Sequence, residues 1–309
     1  MDRKRSGILI TVGYVVAFIL GGLGYILIGP AIESDSIFLE LLVKLAFLDI
    51  IMTIIIYLFA LFTNNTSFYD PYWSVIPFVL VLFPMIMEDG MWNPLSIITL
   101  IVVTIYSHRL TFNWWVRFKG LAFEDYRYNE WRKRLKPWLY EFINFFGFML
   151  MPTVLTFMGT VPLIFAMTEY NGWNYLYLIG ILVSIMGIIF EISADLSVIN
   201  FKKNPENKGK TLDRGLWKYS RHPNYLGELS VWTGFMIIGL TLVFITGNNG
   251  YWWLMIIGSI ATDILFISYS VPRQDKRMLE RHSDYKEYKM RTSALLLLPR
   301  RRIKDEKEV

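Results

Sequence analysis

Residues 213–228 read Asp213-Arg214-Gly215-Leu216-Trp217-Lys218-Tyr219-Ser220-Arg221-His222-Pro223-Asn224-Tyr225-Leu226-Gly227-Glu228, and the apolar run 231–245 follows almost at once. That junction decides how the chain is read. The run is of the kind that crosses a bilayer, and ionisable groups at the mouth of such a helix are costly unless they line a polar cavity. A membrane-crossing segment with a functional site at its entrance is the expectation. The rest of the sequence agrees with the first half of it.

The chain has 309 residues, of which 54% are hydrophobic and 18% charged, whereas soluble domains carry roughly 25% charged residues. It lacks cysteine, which excludes disulfides, thiolate metal sites and a cysteine nucleophile. Its three histidines, His108, His222 and His282, have no metal-ligand spacing, so no metal is expected. The N-terminal Met1-Asp2-Arg3-Lys4-Arg5 precedes an apolar run too long for a signal peptide, which reads as a retained first span.

A span needs about 20 apolar residues. Eight segments meet or approach that: 7–29, 37–62, 73–87, 94–115, 139–167, 175–199, 225–246 and 251–271. The third is short, and Pro152 and Pro162 in the fifth point to a kinked or re-entrant course. Cation placement tests the count. Of 31 lysines and arginines, three lie in the N-terminal tail, seven in 117–137, seven in 200–222 and twelve after 271, while 30–36, 88–92, 168–174 and 247–250 hold none. Such alternation is what the positive-inside rule gives for eight helices with both termini cytoplasmic. The net charge of +5 then reflects orientation and attraction to anionic lipid. No basic stripe with exposed aromatics suggests nucleic-acid binding. The fold class expected is an all-α polytopic membrane bundle of eight transmembrane helices.

The unusual polar groups gather at the cytoplasmic ends of these spans. Glu191 and Asp195 share a face at i and i+4, with Lys202 and Lys203 beyond them. They read either as interfacial acids offset by lysines or as partners for the hydroxyl and amide groups of a cofactor. Lys202, Lys203, Lys208, Lys210, Arg214 and Arg221 form a cationic rim suited to phosphate. In the fourth span Tyr106 and Arg109 share a face at i and i+3, readable as an interfacial aromatic and a snorkelling cation or as site residues. Asp70, ahead of Pro71, suits a helix start as well as an active-site acid. After the last span, 275–277 and 284–291 read as an amphipathic surface helix with Tyr285 and Tyr288 on one side. Nothing here matches a dinucleotide fingerprint, so a cofactor must bind between membrane helices.

Over roughly 65–299, and most closely at Arg221-His222-Pro223-Asn224-Tyr225-Leu226-Gly227-Glu228 and Asp213-Arg214-Gly215-Leu216, the chain resembles the steroid 5-alpha-reductase-like membrane proteins. Within that group it looks most like the uncharacterised prokaryotic branch, with sterol reductases and isoprenylcysteine methyltransferases as more distant relations. The resemblance implies that Asn224 and Glu228 help hold NADPH. Glu191, Asp195 and Lys202 stand where the reductases carry Asn, Asp and Arg, and Arg109 would also meet the cofactor. The same comparison extends the cofactor-binding set to Arg214, Arg221, His222, Tyr225, Asp275 and Arg291. It makes Tyr106 the catalytic phenol that polarises a substrate carbonyl. Asp70, seven residues before Pro77, takes the place of the reductases' partner Glu. The implied reaction is reduction of a C=C bond in a lipophilic, steroid- or prenyl-like enone. Residues 1–64 precede the matching region and read as a two-helix addition to a reductase-like domain over 65–309.

Two other readings stay open. The isoprenylcysteine methyltransferases share the Arg-His-Pro-x-Tyr-x-Gly core and would use S-adenosylmethionine, and a non-enzymatic lipid-binding protein is the third class. The partners expected are a lipophilic small molecule and membrane lipid. The chain is expected to be a monomer in the plasma membrane, with its active site toward the cytoplasm.

Overall fold

The computed structural model describes residues 2–32 and 34–301, and the regular structure among them is helical, without named strands. Twelve α-helices follow in order: α1 Arg3–Ile28, α2 Ile37–Thr63, α3 Tyr72–Met87, α4 Pro94–Arg117, α5 Tyr126–Arg134, α6 Pro137–Ile143, α7 Met151–Thr168, α8 Tyr177–Lys203, α9 Pro223–Thr246, α10 Trp252–Leu265, α11 Val271–Arg281 and α12 Tyr285–Arg291. Some join end to end. The result is eight helical stretches long and apolar enough to cross a membrane, the first Arg3–Ala31 and the last Asn249–Arg281. The expected fold class holds.

The spans run longer than the apolar runs suggest. The first helix takes in Arg3, Lys4 and Arg5, capped by Asp2, whose carboxylate accepts from the Arg5 amide at 2.8 Å. A 3₁₀ turn at Thr66–Tyr69 precedes α3, which lengthens the third stretch to Thr66–Met87. The largest correction concerns the last span, expected to end at 271. It continues to Arg281 through a π-helical segment at Phe266–Ser270, so Asp275, Lys276 and Arg277 belong to this helix and not to a separate surface tail. The fifth stretch shows the same device, with a π-helical segment at Asn144–Leu150 between α6 and α7. Pro152 and Pro272 each follow such a segment. A proline lacks an N–H and its ring crowds the carbonyl four residues back, and a widened turn relieves both problems without breaking the helix. Hence neither helix stops.

Contacts divide the chain into two units, Met1–Asn174 with Ile238–Gly258, and Tyr175–Ile237 with Ser259–Val309. In the first unit α1 packs along α2, burying Ile10, Gly13, Ala17, Gly21 and Tyr25 at helical spacing against a stripe that includes Leu41, Leu45, Leu48 and Met52. Helices apolar all round give no hydrophobic face to read. Small residues mark the face instead.

The connection 118–134 is fastened to the 3₁₀ turn before α3. Asn65 Nδ2 donates to Leu121 O at 2.8 Å, Glu124 Oε1 accepts from the Thr66 amide at 2.8 Å, and Ser67 Oγ accepts from the Asp125 amide at 2.8 Å. Arg132 closes the assembly with a two-pronged contact to Glu124, at 2.9 and 3.1 Å, and lies over the Tyr140 ring at 4.1 Å. The seven cations of 117–137 thus sit on a folded connection that is partly helical.

Candidate functional site

In the second unit the signature opens α9, with Pro223 as its first residue, where a missing N–H is harmless and the fixed φ suits a helix start. The helix then presses on α8. A Cβ on Gly227 would lie 2.4 Å from Glu191 Cγ and 2.6 Å from Gly187 O, and one on Gly234 would lie 2.0 Å from Ser184 Oγ. Only glycine permits backbone contact of this kind. Glu191 is therefore held directly against Gly227, the residue before Glu228. Both carboxylates are buried, 2% and 5% exposed. Trp232 Nε1 donates to Glu228 Oε1 at 3.0 Å, one turn along α9. Asn224 stands half-buried in the first turn of the same helix, and Asp195 half-buried one turn on from Glu191. Lys202 in the last turn of α8 and Arg214 before the 3₁₀ turn Gly215–Lys218 are exposed. Trp217 of that turn donates to Ala194 O at 3.2 Å, which ties the run-up to the signature onto α8.

Asp275 is the centre of a second cluster in this unit. Its carboxylate accepts from Arg221 Nε at 3.2 Å and Nη2 at 2.9 Å, from His222 Nε2 at 3.0 Å, from the Tyr285 hydroxyl, and meets Lys289 Nζ at 3.2 Å. Arg221 Nη1 donates further to the carbonyls of Thr292 and Lys289. Backbone bonds from Arg221 N to Ser293 O (2.8 Å) and His222 N to Ala294 O (3.1 Å) lay the chain after α12 alongside the signature. Tyr288, expected on a surface helix, is buried, and its hydroxyl donates to Trp217 O at 2.6 Å and Ser220 O at 3.1 Å. Arg291 meets Asp213 at 3.3 Å and Glu287 at 3.0 Å. So Arg221, His222, Asp275 and Arg291, all expected on a cofactor, here bond to protein and latch the C-terminal segment onto the signature. Burial, opposed by Asp275, holds the His222 imidazole below its ordinary value. Tyr225 stacks on it, 5.2 Å between centroids and 10° from parallel, and meets the edge of Phe266 at 5.1 Å.

In the first unit Tyr106 is fully buried on α4, Arg109 half-buried one turn on and His108 exposed. Ser74 and Thr111 share a hydrogen bond of 2.7 Å that ties α3 to α4. Asp70 follows the 3₁₀ turn. Its Oδ1 accepts from the Tyr128 hydroxyl at 2.8 Å and from Arg127 Nη2 at 3.4 Å. Tyr128, the one buried residue of α5, was not among the expected site residues. Nor was Asp49, near the middle of α2 and 1% exposed. Tyr72 donates to Asp49 Oδ1 at 2.6 Å, Thr53 to the Tyr72 oxygen at 3.3 Å, and Thr153 shares bonds with Thr53 (2.9 Å) and Tyr69 (2.8 Å). An acid deep inside an apolar run is the signal by which the sequence could have revealed it.

A family model described as "Protein of unknown function (DUF1295)" matches residues 56–292. An uncharacterised protein of Schizosaccharomyces pombe is 26% identical over 208 residues, 58% of this chain and 59% of that protein. A probable O-methyltransferase of Ustilaginoidea virens is 34% identical over 70 residues, 20% of this chain and 24% of that one. The aligned regions thus span less than two thirds of either relative. No solved structure matches.

Proposed function

The chain belongs to that family of unknown function, one associated with steroid 5-alpha-reductase-like proteins, and from this premise we propose that it is an integral membrane reductase that uses NADPH on the C=C bond of a lipophilic enone. The observation that carries the reading is the α8–α9 crossing, where the buried Glu191 is held by a close contact with Gly227, next in sequence to the buried Glu228, and Asn224 lies one turn before Glu228 on the same helix. Buried acceptors of this kind suit the hydroxyl and amide groups of a nicotinamide nucleoside, and the exposed cations Lys202 and Arg214 suit its phosphates. Arg221 and His222 act one step away, by fixing the start of α9. When bound, NADPH supplies a hydride for the β carbon of the enone. Tyr106 is the proposed phenol that donates a hydrogen bond to the developing enolate oxygen. Asp70, bonded to Tyr128, is proposed as part of the same acid–phenol chemistry, and an acid paired with a phenol serves best when it shares a proton with it.

The test is equilibrium binding to the purified protein. NADPH should bind saturably, and Glu228→Gln should weaken it by about 1–3 kcal/mol, the cost of a buried hydrogen bond to a charged group. Tyr106→Phe should leave that affinity unchanged and lower the chemical rate on the order of 10²-fold. One observation favours a second reading, transfer of a methyl group from S-adenosylmethionine, since a relative at 34% identity over 70 residues bears the name of an O-methyltransferase. Saturable S-adenosylmethionine binding without NADPH binding would replace the first reading by the second.

A further inference from the structure

Ser259, Thr262 and Asp263 on α10 take no part in the latch or the carboxylate pair. At 100° per residue they share with Phe266 an arc of about 100° on one side of the last span. Ser259 and Thr262 are 3% and 1% exposed. The hydroxyl oxygens of both, and Asp263 Oδ1, are shut off from solvent with no hydrogen-bond partner among the described residues. Asp263 forms no ion pair with a described residue either. Four other serines in the spans of this unit bond back to their own helix, Ser184 to Gly180 O at 3.0 Å, Ser197 to Ser193 O at 2.7 Å, Ser230 to Leu226 O at 2.7 Å and Ser268 to Ile264 O at 2.6 Å. Ser259 and Thr262 forgo that bond. Three unsatisfied polar groups on one face of an apolar helix cost stability unless something supplies their partners.

We propose that this face of α10 binds the hydroxyl group of a lipophilic substrate. A hydroxyl both donates and accepts, so it serves the Asp263 carboxylate and the Ser259 and Thr262 hydroxyls together. A ketone would leave the carboxylate unserved, and a cation would carry a charge into the span beside hydroxyls that do not need it. The face continues to Phe266, whose ring meets Tyr225 of the signature edge-on at 5.1 Å. A hydroxyl held at Asp263 is therefore about 5 Å along the helix from an aromatic pair that contains a signature residue. The inference deepens the reductase reading and rests on it for the enone part of the ligand, while the binding step itself needs no reduction.

The experiment compares two tritiated probes by saturation binding to the full-length protein in detergent: testosterone, an enone with a hydroxyl, and androst-4-en-3-one, the same enone without it. The wild type should bind testosterone about tenfold more tightly, the scale of a buried hydroxyl contact. Asp263→Asn should abolish most of that preference and Thr262→Val part of it, both with unchanged affinity for androst-4-en-3-one, which reports that each variant is folded. Equal affinity of the wild type for the two probes, a preference that survives both substitutions, or no saturable binding of either probe overturns the proposal. The reductase reading fails separately, when the hydroxyl preference is present and no NADPH is oxidised with either probe.

Discussion

A single carboxylate, Asp275, holds together three groups that the sequence places 50 or more residues away or beyond the last span: Arg221, His222 and Tyr285. Removing one member of a buried, charged cluster leaves the others unpaired and costs about 3–5 kcal/mol. Asp275→Asn should therefore lower the melting temperature sharply and expose the chain after α12 to protease, with cleavage near 292–294 as the readout. His222 adds a pH dependence whose direction follows from its environment. Its folded value is depressed by burial, so the unfolded chain takes up the proton first, near pH 6.5. The stabilisation is in full above that pH and is lost as pH falls through it. Melting temperatures recorded from pH 8 to pH 5 should drop for the wild type more steeply than for His222→Gln. Equal slopes would mean that the imidazole does not titrate in this window. At this scale the sequence was only half legible: Arg221 and His222 stood out as unusual, but nothing in their spacing said that Asp275 would occupy their polar atoms. That pairing depends on a helix continuing past 271, which the charged residues there concealed.

Between elements, glycines set the distance, and they were visible in the sequence as letters without a partner. The crossing of α8 and α9 places Gly180, Ser184, Gly187 and Glu191 in one row against Gly227, Val231 and Gly234. At Gly234 a Cβ would meet Ser184 Oγ at 2.0 Å and the backbone oxygen of Gly180 at 2.5 Å, and a backbone oxygen cannot rotate aside. Gly234→Ala should thus destabilise by about 1–3 kcal/mol, as overpacking of a close contact does, and weaken NADPH binding by disturbing the carboxylates about two turns away. Gly250→Ala serves as the control, since a Cβ there meets nothing within 4 Å. Unfolding by denaturant in detergent measures both, and equal midpoints for the two variants would remove the crossing as a determinant. Hydropathy could not reveal this row, because helices apolar on every side carry no periodic signal. The π-helical segments were equally hidden: Pro152 suggested a kinked or re-entrant course, whereas a widened turn ahead of it, and another ahead of Pro272, lets each helix run on.

For the whole molecule, the count of spans was the most legible property, because it depends on length and composition alone and not on which residues meet. Eight helical stretches appear where eight apolar runs were read. Their orientation is a separate matter, argued from charge. The lysine-rich connection after α8 and the basic N-terminal residues are separated by five intervening connections in which cations alternate with their absence, apart from 63–72. Moving cations across a bilayer during insertion is unfavourable, so the cation-rich connections are expected to share the cytoplasmic side. Position 208, between α8 and α9, should then face the compartment of Lys4, and position 249, between α9 and α10, the opposite one. Lys304, expected on the Lys4 side, lies outside the described residues. The native chain has no cysteine, so Lys208→Cys and Asn249→Cys each create a unique thiol. In sealed inside-out vesicles a membrane-impermeant maleimide should label residue 208 and not 249, and in right-side-out vesicles the reverse. Labelling of both from one side would break the alternation between α8, α9 and α10, and with it the cytoplasmic placement of the signature and its carboxylates.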